Sequence, residues 1–230
     1  MENHIIICGF GRNGKQAVSE LILHNHPCIV LENNHQVVQA NTSRNFRFIE
    51  GDATDEELLK TAGIETALAL VTTLPNDADN LFIVMTARTL NPGLLIVSRA
   101  ENESVEKKLK LAGASNVVMP ERVGGAFMAK LIAQPDVVEF LEHLSVSGQD
   151  PTNLVEIPCN RLAPDCRNKT ICDIGIRKKT GVNIIGFKTP EGEFLINPSP
   201  ETVVTPGSKL FVLGTKEQVF LMQQILNECL

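Results

Sequence analysis

The chain has 230 residues and a formal net charge of −6, enough length for one ordinary domain plus a smaller second one, and no long basic run to suit a nucleic-acid partner. Six cysteines, at positions 8, 28, 159, 166, 172 and 229, form no C-x-x-C pair, and two of them fall in apolar runs of strand length, so a reducing cytosol without a disulfide framework is expected. Ile5–Ile7 is too short for the apolar core of a secretory leader, and no apolar run approaches the ~18 residues of a membrane span, so a soluble chain is expected.

The first run, His4-Ile5-Ile6-Ile7-Cys8, predicts a strand that ends on Gly9-Phe10-Gly11-Arg12-Asn13-Gly14. Beyond it Ala17, Val18, Leu21 and Ile22 recur at helical spacing, predicting a helix over about 12–24. Strand–turn–helix is the setting in which G-x-G-x-x-G carries meaning. Gly9 permits the tight turn, Gly11 lets the backbone approach a pyrophosphate, and Gly14 lets helix and strand pack closely. The N-terminal end of that helix then offers its free N–H groups and positive dipole end to an anion. A second strand, 28–32, closes on Glu32 at about the ~20-residue distance where a ribose-binding acid belongs. A carboxylate there accepts bonds from both ribose hydroxyls and repels a 2′-phosphate, which disfavours NADP. His24, His26 and His35 have no partners at ligand spacing and read as solvated.

A third strand is expected at 46–49, followed by Thr54-Asp55-Glu56-Glu57, a capping box with Thr54 as cap, and a helix to about Gly63. Residues 67–73 predict a buried strand, 81–88 a helix stopped by Asn91-Pro92, and 94–98 a strand. A helix from about 102 has Glu103–Lys107 and Glu106–Lys110 as i,i+4 pairs, and 116–119 predicts the last strand. This alternation makes two βαβαβ halves, hence an α/β fold with a doubly wound, Rossmann-like parallel sheet. Pro120 breaks the pattern. Helices over 121–134 and 136–144 carry small residues (Gly124, Gly125, Ala126, Ala129) beside Phe127, Met128, Leu131 and Ile132, and suit a subunit interface. Ser145–Asn153 is a polar linker. Strands at 154–158, 182–187, 193–196 and 209–213, helices at 170–179 and 216–227, and a hairpin turn at Thr189–Gly192 make a small α+β module. The expected organisation is thus a nucleotide-binding lobe over 1–120, crossover helices over 121–145, and a C-terminal lobe over 146–230.

Ligands of such sheets sit beyond the carboxyl ends of the strands. The candidate cofactor contacts are therefore Gly9, Phe10, Gly11, Arg12, Asn13 and Gly14 in the loop, and Glu32 and Asn33 after the second strand. Asp52 and Ala53 follow the third strand, Thr72 and Thr73 end the fourth, and Arg99 follows the fifth. Asp52 serves either an adenine edge or its own turn, and Arg12 either a phosphate or solvent. One alternative is a small NAD-dependent oxidoreductase, which needs an acid–base group near the cleft. No histidine lies between His35 and His143, and the last eighty or so residues bring no convergent His, Lys or Tyr set. A nucleotide bound without chemistry is a signal or a structural clamp.

Taken whole, the chain resembles the RCK proteins (regulators of potassium conductance, also called KTN or TrkA type). The likeness rests on residues 4–14, on Glu50-Gly51-Asp52-Ala53-Thr54 with Leu58–Gly63, and on Asn76-Asp77-Ala78-Asp79-Asn80. It continues in Lys110–Ala114, Val118-Met119-Pro120-Glu121, Val204-Thr205-Pro206-Gly207 and Leu210–Thr215, while Asn76–Asn80 and Arg122–Gly125 look like the channel-linked members. The resemblance implies a lobe that binds NAD(H), ATP or ADP, homodimers through helices 121–144, and an octameric ring. It places that ring on the cytoplasmic face of the membrane, gating the pore of a potassium channel or transporter. It gives Arg12 a phosphate contact and Glu121 a divalent cation. Thr73, Arg99 and Glu101 stand where calcium-binding members carry carboxylates, which argues against that calcium site. A pattern for cyclic di-AMP is partly present in Ile171, Arg177 and Asn183–Ile185, with Gly175 in place of an aspartate and Cys172 in place of an aliphatic residue.

Overall fold

A computed structural model describes residues 3–41, 46–145 and 152–226, which divide into two compact units, Met1–Ala129 and Lys130–Leu230. In the first unit β1 (Ile5–Cys8), α1 (Arg12–Leu23), β2 (Cys28–Glu32), α2 (His35–Ala40), β3 (Phe46–Glu50) and α3 (Glu56–Thr61) precede β4 (Ala69–Thr72). Then come α4 (Asp77–Leu90), β5 (Leu95–Arg99), α5 (Glu103–Leu111), β6 (Asn116–Val118) and α6 (Pro120–Ala133), a helix divided between the units after Ala129. The six strands are parallel in the order β3-β2-β1-β4-β5-β6, the doubly wound arrangement expected from the alternation.

Strand pleating divides β1 between two cores. Ile6 and Cys8 point into one with Leu70, Ile96, Leu59, Ile83 and Leu109, while Ile5 and Ile7 point into the other with Val18, Val30 and Phe10. Both faces of β1 are dry, which explains its unbroken apolar run. Burial also keeps the thiols of β1 and β2 protonated: Cys8 is pushed up to about 12 and Cys28 to about 11. Cys8, Cys28, Cys159, Cys166 and Cys172 are free, and Cys172 alone of these is exposed.

Several local expectations change. The cap of α3 is Asp55, whose carboxylate accepts from Glu57 N–H, because Asp52 already takes both the N–H and the hydroxyl of Thr54. Helix α2, capped by Asn34, is a single short stretch with too few turns to show a period. The fourth strand spans four residues, and its ladder with β1 opens at Ile5↔Ala69. Glu106 pairs with Lys110 at 2.7 Å as expected, whereas Glu103 reaches Arg122 of α6 at 2.8 Å instead of Lys107.

In the second unit α7 (Pro135–Ser145) is followed by β7 (Thr152–Pro158), β8 (Lys169–Thr170), α8 (Ile171–Ile174), α9 (Ile176–Thr180), β9 (Asn183–Lys188) and β10 (Phe194–Ile196). Last come β11 (Val203–Val204), β12 (Lys209–Thr215) and α10 (Lys216–Leu226). An antiparallel sheet in the order β10-β9-β12-β7 covers Ile157, Leu210, Val212 and Phe187 against Val219 and Met222 of α10. The helix expected over 170–179 is two helices, because Gly175 adopts the left-handed region at φ +69° and ends the first. Most of the expected 145–153 linker lies outside the described residues, and Asn153 belongs to β7. No helix among the described residues is long and apolar enough to cross a membrane.

Candidate functional site

The glycine loop meets its geometric requirements residue by residue. Gly9 turns the chain at φ +92°, where a Cβ would stand 2.9 Å from Leu74 Cδ2. A Cβ on Gly14 would overlap the Gly9 carbonyl oxygen and lie 3.0 Å from its carbon, so α1 can approach the strand only without a side chain there. A Cβ on Gly11 would meet open space, which leaves room for a ligand against the backbone. Gly11 caps α1 without a side-chain bond, and no acid occupies the first turn, so the positive helix end is left for an external anion.

Glu32 is held on this loop. Its Oε2 accepts from the Phe10 N–H at 2.7 Å and its Oε1 from the Asn34 N–H at 2.9 Å. A carboxylate offers about four acceptor positions, so capacity for ribose hydroxyls remains. The Phe10 ring is buried against Phe46 and Phe48, with centroids 5.5 and 4.9 Å away, so its backbone N–H is the atom that faces the site. Asn33 is exposed. Asp52 accepts from the Thr54 N–H and Oγ1, which lower its pKa, the N–H bond first, and Ala53 is buried. Asp52 thus serves its own turn.

At the fourth strand, Thr73 donates to the carbonyls of Gly9 and Cys8 at 3.1 and 3.2 Å, locking loop to strand. The Thr72 hydroxyl is buried and donates to the Asn80 side-chain oxygen. Asn80 had been only part of a motif, but it shapes this edge. Its Oδ1 also accepts from Leu74 N–H at 3.1 Å, and its Nδ2 donates to the Leu74 carbonyl at 2.9 Å. Asn80 stands at helical spacing with Ile83, Val84 and Ala87, and a polar residue on that apolar face was the available signal.

Arg99 reaches across the same edge. Its Nη1 donates to the carbonyls of Leu74 and Pro75, each at 3.2 Å, and its Nη2 lies 3.3 Å from Glu121 Oε1 on the first turn of α6. Glu121 is held below the usual carboxylate range, first by its own backbone N–H, then by the charges of Arg99 and Arg12. Asn13, Thr73, Val97, Arg99 and Pro120 line one cavity of about 440 Å³. In the second unit Ile171, Cys172, Gly175, Arg177, Asn183 and Ile184 line another of about 450 Å³, so the partial cyclic di-AMP pattern converges in space.

The donor set does not fit a divalent cation. No group of three or more His, Cys, Asp or Glu side chains among the described residues is arranged for a metal, and Glu121 faces arginines. His35, expected to be solvated, is exposed and also pairs with Glu50 at 2.9 Å.

The architecture defines a Rossmann-like lobe followed by a small antiparallel α+β lobe. Residues 5–120 match the TrkA-N domain and residues 161–227 the TrkA-C domain. The chain is 36% identical, over 99% of its length, to "Probable potassium channel protein 2" of Methanocaldococcus jannaschii. It is 37% identical over 95% of its length to "Potassium channel protein 1" of the same organism. It spans 68% and 65% of those two proteins. Among solved structures it is similar to "GsuK channel bound to NAD", at 29% identity and a TM-score of 0.53, over 97% of this chain and 38% of that one. The chain belongs to the TrkA (RCK) family, the regulatory domains of potassium channels and transporters. These relatives are channel and transport proteins rather than enzymes, which sets the oxidoreductase alternative aside.

Proposed function

We propose that this chain senses an adenine nucleotide, NAD(H), ATP or ADP, and through it gates a potassium channel or transporter from the cytoplasmic face of the membrane. The observation that carries the reading is the Glu32 carboxylate held against the loop that turns into α1. Adenosine ribose on Glu32 and phosphates on the first turn of α1 use acceptor and donor groups that otherwise face solvent. Gly9, Gly11, Asn13 and Gly14 shape the phosphate seat, Thr73 braces it, and Arg12 and Arg99 supply positive charge. A saturating nucleotide at about 100 times its Kd stabilises the folded lobe by about 2.7 kcal/mol, a shift of about 5–11 °C in thermal melting for a chain of this size. Glu32→Ala should weaken both ADP and NAD⁺ by about 10- to 100-fold in titration calorimetry, the loss of charge-assisted bonds to ribose. Unchanged affinity would remove the ribose from Glu32.

The assembly proposed is a homodimer through residues 121–144, with dimers closing into an octameric ring that bears on the pore. In support, Val123, Phe127, Met128, Leu131 and Ile132 of α6 and Val137, Phe140 and Leu141 of α7 are large apolar side chains left exposed. Ile132 is 86% exposed, so Ile132→Asp leaves the fold of the single chain intact. It should shift the mass measured by light scattering from the oligomer to a smaller species, and an unchanged mass would move the interface elsewhere. Coupling of about 1–3 kcal/mol per site, multiplied around a ring, is enough to bias a pore. The domain limits proposed for these roles are 1–120, 121–145 and 146–230.

A further inference from the structure

We infer that Arg99 takes the place of a divalent cation at this site, so that ADP or ATP binds metal-free with its outer phosphate on the Arg99 guanidinium. The inference rests on the nucleotide reading above and names how the phosphate end is recognised. It begins from the disagreement between the cation expected at Glu121 and the groups that surround that carboxylate.

Glu121 is already served by positive charge. Arg99 Nη2 lies 3.3 Å from it, and the charge of Arg12 on the first turn of α1 acts on it as well. A divalent cation entering here would have to displace a guanidinium while finding most of its ligands elsewhere, and the described residues offer no second and third carboxylate beside it. Arg99, by contrast, is built in place. Its side chain is only 17% exposed, and two backbone carbonyls, Leu74 and Pro75, hold Nη1 independently of Glu121. Leu74 is itself fixed on both its N–H and its carbonyl by Asn80. The guanidinium therefore keeps its orientation when the carboxylate leaves, and the ordering cost is met before any ligand arrives.

Arg99 and Asn13 line the same cavity, together with Gln16, Ala17 and Glu20 further along α1, so the arginine and the start of that helix border one space. A phosphate chain lying on the helix end runs toward Arg99, where its outer phosphate exchanges with Glu121. One anion replaces another on Nη2, the nitrogen that the two carbonyls leave for an anion, and a phosphate of higher charge suits it better than an exposed carboxylate at 3.3 Å. Glu121 is thus a competitor of the ligand and not its partner through a metal.

The two readings give opposite signs for one substitution. Calorimetric titration of the full chain with ADP, in EDTA and in magnesium chloride, should give the same affinity in both buffers. Glu121→Gln should tighten ADP a few-fold, because the competing carboxylate is gone, whereas a cation ligand lost at that position would weaken it. Arg99→Ala should weaken ADP about 10- to 100-fold and AMP much less, with Arg99→Lys intermediate and serving as the control should the alanine variant fold poorly. ADP binding that requires magnesium, or that weakens in Glu121→Gln, overturns the inference while leaving the nucleotide site standing. Binding of NAD⁺ without binding of ADP also overturns it alone. Binding of none of ADP, ATP and NAD⁺ in either buffer overturns both.

Discussion

Gly14→Ala is expected to destabilise the first unit by about 3 kcal/mol and to abolish the thermal shift produced by ADP or NAD⁺. The added methyl would overlap the Gly9 carbonyl oxygen and stand 3.1 Å from Thr73 Oγ1, so α1 must move away from β1 and β4. Movement there takes the helix end away from Glu32 and from the hydroxyl that braces the loop. Gly11→Ala is the informative contrast. Its methyl meets no protein atom within 4 Å and its backbone, at φ −71°, suits any residue, so stability should be retained while binding falls. Urea unfolding monitored beside nucleotide titration separates the two. If Gly14→Ala melts and binds like the parent chain, the close packing of α1 is not what that glycine is for.

Asn80→Ala should cost about 2–4 kcal/mol, more than its position inside an ordinary helix would suggest. The side chain is fully buried and satisfies three groups at once: the Thr72 hydroxyl, the Leu74 N–H and the Leu74 carbonyl. Alanine leaves all three buried without the amide that served them. The loss extends to function, because Leu74 is one of the two carbonyls that hold Arg99. ADP affinity should therefore fall in Asn80→Ala even though the residue touches no ligand. A variant with parental stability in urea would show that water replaces the amide at no cost.

Glycine and helix-capping demands are local, and so most of the phosphate seat was readable along the chain. Gly9 needs a positive φ, Gly14 a missing Cβ, and Glu32 only its place at the end of a strand. The partner of Glu32 was less open to reading, since a backbone N–H twenty-two positions earlier has no signature of its own. Capping was legible in type and off by one in place: Thr54 and Asp55 are both good caps, and the choice fell to Asp52, which had already engaged Thr54. Helical periodicity runs on through Gly175, so only the left-handed turn there separates α8 from α9.

Apart from α2, the alternation of strands and helices in the first unit, the doubly wound sheet and the glycine loop follow from the amino-acid sequence by itself. Each rests on periodicity or on a backbone demand within a few residues. Which charge faces which was decided by tertiary structure. Parallel pairing of β5 with β6 sets Arg99 beside the start of α6, where Glu121 meets it, and the same packing turns Glu103 to Arg122 rather than to Lys107. Ion pairs between residues far apart along the chain depend on how strands align side by side, and that alignment leaves no periodic trace in any one segment. The family resemblance gives Glu121 a cation; on the inference proposed above, Glu121 beside Arg99 is the anion that a phosphate replaces.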